Sequence, residues 1–258
     1  MRTRRRVKFT QSHAGATALS ICVLVACGTS STSSPSGGGG GGVDAGSDVR
    51  TASGKKSIPA DLRSFEANGE GMCEAPATPD WQTCQDILAQ ANGTWATLKP
   101  VLLADGANAN SISQIESLLA KYTSDVKQTA VRDAETDANS MNALIPDFFD
   151  LYDFAVPSDT LRLDAAYRFV EIQGEHSDWA TASTGLDKTK AVWARLRPLV
   201  ATRAGQRTDI AAARTVIADV DATFDAIAAA IIAKSSPDTM KAATRGLDLV
   251  DVLEQTFQ

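Results

Sequence analysis

The four tryptophans of this 258-residue chain fall into two pairs with one offset: Trp81 and Trp179, like Trp95 and Trp193, stand 98 residues apart. The same offset carries Asp80 onto Asp178, Leu88 onto Leu186 and Pro100 onto Pro198. It also carries Ile58-Pro59-Ala60-Asp61 onto Val156-Pro157-Ser158-Asp159, and Asp150-Leu151-Tyr152-Asp153 onto Asp248-Leu249-Val250-Asp251, without a gap. Identities number about 17 over 98 positions, gathered around the rarest large side chains. A chain that resembles itself at long range builds one plan twice. The sequence therefore predicts two tandem units, 57–154 and 155–258, in which each element has a counterpart.

Within each unit the apolar residues recur at steps of three and four, the period of a helix with one buried face. Trp81, Cys84, Leu88, Ala91, Trp95, Leu98 and Leu102 mark a helix over 79–104, opened by Thr78 and Pro79. Trp179, Ala182, Leu186, Trp193, Leu196 and Val200 mark its counterpart over 177–202. Pro100 and Pro198 predict a kink or an early end in each. Second helices are expected over 110–141 and 207–234, the latter capped by Asp209, and third helices over 143–154 and 237–256. A further helix over 159–173 has a first-unit partner that Gly69 and Gly71 should interrupt. Alternating β-branched runs are missing. The predicted fold class is all-α, a helical bundle of two pseudo-equivalent units of about 98 residues, with an open solenoid of helical hairpins as the alternative.

The N-terminus has a different character. Arg2, Arg4, Arg5, Arg6 and Lys8 precede an apolar run from Ala14 to Ala26, shorter than the roughly 20 residues a helix needs to cross a bilayer. That combination reads as an export signal over 1–26. The run ends in Leu24-Val25-Ala26-Cys27-Gly28, which resembles the lipobox of bacterial lipoproteins. The resemblance implies cleavage before Cys27, acyl chains carried on that residue and, with Gly28 rather than Asp after it, sorting to the outer membrane. The membrane would then be the chain's first partner. Residues 27–56, rich in Ser, Thr and Gly and including six consecutive glycines at 37–42, read as a disordered tether reaching roughly 30 Å.

Charge and inventory exclude much. Without its first 26 residues the chain loses five of its 25 basic side chains and none of its 31 acidic ones, so nucleic acid is an unsuitable partner. His176 is then the single histidine, too few for a His-rich zinc site, and no nucleotide-binding or hydrolase motif accompanies it. No enzyme activity and no cofactor are expected; a carboxylate-only enzyme is the remaining catalytic alternative. Cys73 and Cys84, with ten residues between them in an oxidising compartment, are expected to form a disulfide.

Few residues stand out as candidate sites. Asp150 with Asp153, and Asp248 with Asp251, should share one face of a short helix and could face a hard cation, although a solvated surface explains them as well. Glu171, Glu175, His176 and Asp178 crowd one turn, where a transition metal is conceivable and a capping role the simpler reading. The HxxE-type signature of helical iron-uptake lipoproteins is not matched there, because Trp179 stands three residues after His176. Asp164 and Arg168, four apart on an otherwise apolar helix, suggest an internal ion pair. Trp81, Trp95, Trp179 and Trp193 either fill cores or line an aromatic groove for an unidentified protein or small molecule.

Overall fold

The structure, a computed structural model, describes residues 54–78, 80–206 and 210–257, the side chains of 204–206 and 210–213 excepted. The export signal, Cys27, Pro79, Asp209 and most of the expected tether lie outside the described residues. Among the described residues nine helices and two short strands follow in the order β1 (Lys56–Ser57), α1 (Ala60–Glu74), α2 (Trp81–Ala104), α3 (Ala109–Gln128), α4 (Val131–Asn142), α5 (Ile145–Phe149), β2 (Tyr152–Asp153), α6 (Ser158–Glu175), α7 (Trp179–Gln206), α8 (Ile210–Ile232) and α9 (Ser236–Phe257).

The protein is an all-α helical bundle. Helices α1 to α4 pack each on the next, and α4 returns to α1; helices α6 to α9 repeat that circuit, with α9 against α6. Each circuit is an up-down four-helix bundle around its own core. The first core holds Phe65, Met72, Trp95, Leu98, Tyr122 and Phe148, and the second holds Leu163, Tyr167, Trp193, Leu196, Val220 and Leu253. Phe154 packs against both cores at the connection between them. Burying a large apolar side chain contributes roughly 1.5–3 kcal/mol, so each core is a substantial source of stability.

Both bundles begin alike. Helices α1 and α6 start 98 residues apart behind prolines of nearly identical backbone, Pro59 at φ −58°, ψ 138° and Pro157 at φ −58°, ψ 131°. Asp61 accepts a hydrogen bond from Thr97, and Asp159 accepts two from Arg195, the side chains 98 residues further on. After the first hairpin the ungapped register fails. Helices α2 and α7 start 98 residues apart, but α4 and α9 start 105 apart, because the α7–α8 hairpin is longer than the α2–α3 hairpin. Seven residues are about two helical turns, an extension that leaves every later residue on its original face. Accordingly Glu116 pairs with Lys99 and sits against Trp95, while Asp221, 105 residues after Glu116, pairs with Arg197 and accepts from Trp193 Nε1 at 2.7 Å. The Trp95 N–H falls short of hydrogen-bond geometry.

Other expectations need correction. The helix expected over 110–141 is two helices, broken at Thr129, which takes the left-handed conformation at φ 55°. The helix expected over 143–154 shrinks to α5 followed by β2. Helix α1 runs unbroken through Gly69 and Gly71, since the glycines serve packing: a β-carbon at Gly69 would run into Asn142 of α4. Helices α2 and α7 continue past Pro100 and Pro198 to Ala104 and Gln206. The cap of α2 is Asp80, whose carboxylate accepts from Thr83 N at 3.1 Å. A small parallel sheet also exists, Lys56 opposite Tyr152 and Ser57 opposite Asp153. It places residues 54–56, expected to belong to the tether, on the domain, where Lys55 donates to Asp150 O and Lys56 pairs with Asp105.

Candidate functional site

A pocket of about 50 Å³ opens where the bundles face one another, walled by Glu66 and Glu70 of α1, Asp164 of α6, and Asp251 and Glu254 of α9, with Asn142 and Pro146 nearby. Helix periodicity explains the crowding. Glu66, Glu70 and Glu74 stand four apart on one face of α1, Asp164 and Arg168 four apart on α6, and Asp251 and Glu254 three apart on α9. Arg168 is the cation in their midst, its side chain 14% exposed, 3.7 Å from Asp164 and 3.8 Å from Glu74. These are ion contacts rather than hydrogen bonds, and Arg168 Nε is buried without an acceptor.

Arg168, with Arg63 acting on Glu66, leaves so many carboxylates poorly compensated. Removal from water, then the charges of Glu66 and Asp164, push the Glu70 carboxyl up to about 8, although Glu70 as a whole residue is exposed. Removal from water, then Glu66, Asp164 and Asp251, push Glu254 up to about 7. Glu66, Asp164 and Asp251 move up for the same leading reason, with Arg168 opposing the shift at Asp164. Glu66 and Glu70, one helical turn apart, act on one another as neighbouring like charges, which favours the protonated form of Glu70. A wall of this kind can take up protons.

The three acids and the imidazole around the α6–α7 turn do not converge. Glu171 accepts from Thr244 of α9 at 2.8 Å, and Glu175 is exposed at the end of α6. His176 Nε2 lies 3.3 Å from Glu135 of α4, a residue only 3% exposed. Asp178 caps α7 through Thr181 N and pairs with Arg132, which also donates to Gln173. The turn is thus an interlock between α4 and the second bundle. Among the described residues no three His, Cys, Asp or Glu side chains are grouped to hold a metal ion.

The repeated Asp-Leu-x-Asp segments have different structures. Asp150 follows α5 and pairs with Arg162, and Asp153 lies in β2, whereas Asp248 and Asp251 sit in the body of α9. The α7–α8 hairpin is longer than the α2–α3 hairpin, so at a 98-residue offset the second segment falls at a different place in its bundle. Of the tryptophans, Trp95 and Trp193 are 5% and 3% exposed in separate cores, the former tilted against both Phe65 and Phe148. Trp81 and Trp179 are half-buried at the starts of α2 and α7.

The expected disulfide is absent: Cys73 and Cys84 are free and buried. Their helices turn the thiols toward different partners. Cys73 accepts from Asn142 Nδ2 at 3.3 Å, while Cys84 lies beside Tyr122, whose hydroxyl donates to Met72 O. Burial pushes both thiols up, so they stay protonated.

Glu66, Glu70 and Glu254 were not legible as site residues in the sequence. The available signal was Glu66, Glu70 and Glu74 at four-residue spacing, a like-charge ladder that costs an isolated helix stability. No protein-family model, curated protein or solved structure matches the chain.

Proposed function

We propose that the chain is an outer-membrane lipoprotein held by an acylated Cys27, whose helical domain holds a partner or a structural position rather than catalysing a reaction. The observation that carries this reading is the engagement of its chemistry-bearing side chains in contacts between helices, the lone imidazole of His176 on Glu135 foremost. The Lys55 and Lys56 contacts support a leash that joins the domain at a defined point, beside β2. Intact-mass measurement after expression in a Gram-negative host tests the anchor. Lipid mass on Cys27 and membrane fractionation are expected, both lost in Cys27→Ser; wild-type protein that is unlipidated and soluble overturns it.

A second reading, an accessory protein that binds a small cation during uptake, draws on the carboxylate-walled pocket alone. Titration calorimetry with calcium and with manganese separates the two. Heat of binding that disappears in Asp164→Asn with Asp251→Asn favours the cation; its absence in the wild-type chain favours the partner-holding domain.

We also infer that the bundles descend from one duplicated unit whose second copy gained one turn on each arm of the α7–α8 hairpin. The proline-led starts of α1 and α6 and the matched carboxylates Glu116 and Asp221 support it. An experimental structure in which α1–α4 cannot be superimposed on α6–α9 would overturn it.

A further inference from the structure

The two bundles meet along a seam with two unlike sides. On one side α4 packs directly on α6: Asn139 donates to Ala165 O at 3.0 Å, Arg132 reaches Gln173 and Asp178, and the buried alanines Ala138 and Ala165 belong to these two helices. On the other side α1 faces α6 and α9 across the pocket instead of packing closely on them. One side is joined by many direct contacts, and the other is spanned by the pocket and by the 3.8 Å ion contact of Arg168 with Glu74. The connection from 150 to 157 runs between the two cores, clasped by Arg162 through Asp147, Asp150 and Asp159.

We propose that this seam is a proton-operated hinge, with α4–α6 as the pivot and the α1–α9 side as a mouth that closes when its carboxyls carry protons and opens when they ionise. The charges facing the mouth decide the direction. Helix α1 brings Glu66, Glu70 and Glu74 with Arg63; α6 brings Asp164 and Glu171 with Arg168; α9 brings Asp248, Asp251 and Glu254. The end of α4 contributes Asn142 and the start of α5 contributes Ile145 and Pro146, which carry no charge. Fully ionised, eight carboxylates would face two arginines, and repulsion across the gap would act on the side that has little direct packing to resist it. The raised carboxyls of Glu70 and Glu254, on opposite sides of the gap, place the change between about pH 6 and about pH 9. At the pivot, His176 with Glu135 is the titratable pair, separate from the mouth.

Hydrogen exchange of the purified full chain, at about pH 5.5 and about pH 8.5 and corrected for the intrinsic pH dependence of exchange, tests the hinge. The facing turns of α1 and α9 are expected to lose protection by roughly tenfold or more at the higher pH, while the core amides of α2 and α7 keep theirs. The double variant Glu70→Gln, Glu254→Gln should hold the mouth closed at both pH values. His176→Gln should leave the response in place. Wild-type protection that is the same at both pH values overturns the hinge, whether or not the double variant folds. So does simultaneous loss of protection in all helices, which would be general unfolding, or a response that follows His176 instead of the mouth.

Discussion

Tyr167 shows how much one side chain can organise. Its ring lies against Gly246 of α9 and stacks on Phe224 at 5.9 Å, and its hydroxyl shares a 2.6 Å hydrogen bond with Thr223. A β-carbon at Gly246 would overlap the ring itself, which is rigid and packed on its other sides. Gly246→Ala is therefore expected to lower unfolding free energy by about 1–3 kcal/mol in urea titrations, even though alanine is the better helix former. An unchanged midpoint would show that α6 and α9 can separate to admit a methyl group. Gly246 itself gave no such warning in the sequence, because a glycine within a helical pattern reads as a weak point until its neighbour is known.

Helix ends repeat one device. At Thr129, Ser177 and Lys234 the chain turns left-handed, and the next residue's N–H reaches back to the carbonyl five positions earlier, from Ala130 to Asp125, Asp178 to Gln173 and Ser235 to Ala230. Gly106 ends α2 in the same way, with Ala107 bonded to Leu102. Only the last of these four stops carries the residue that normally signals one, which is why the break between α3 and α4 was read as continuous helix. Thr129 is β-branched and bears that conformation at a cost. Thr129→Gly should raise stability by about 1 kcal/mol, visible as a higher melting temperature, and a lower one would show that the threonine hydroxyl contact with Gln128 O matters more. The apolar stripes of α2, α3, α7 and α8 were readable because period and burial agree there. The pocket was not, because its acids come from α1, α6 and α9, and no local pattern tells which polar faces will meet.

For the molecule as a whole, proton binding and folding are linked. Glu70 and Glu254 stand above the ordinary glutamate value near 4.5, so the folded chain binds more protons than the unfolded one between there and about 8. Stability should consequently be greatest at the acid side of that window and decline as pH rises through it. Urea midpoints at about pH 5.5 and about pH 8.5 check the sign, and Glu70→Gln should flatten the difference; a midpoint that climbs with pH would contradict it. The two-residue pairing of Lys56–Ser57 with Tyr152–Asp153 has a mechanical side as well. Because the incoming chain is fastened to the segment joining the halves, a pull from the N-terminus loads the middle of the protein, and any drag on the domain is felt first at its joint.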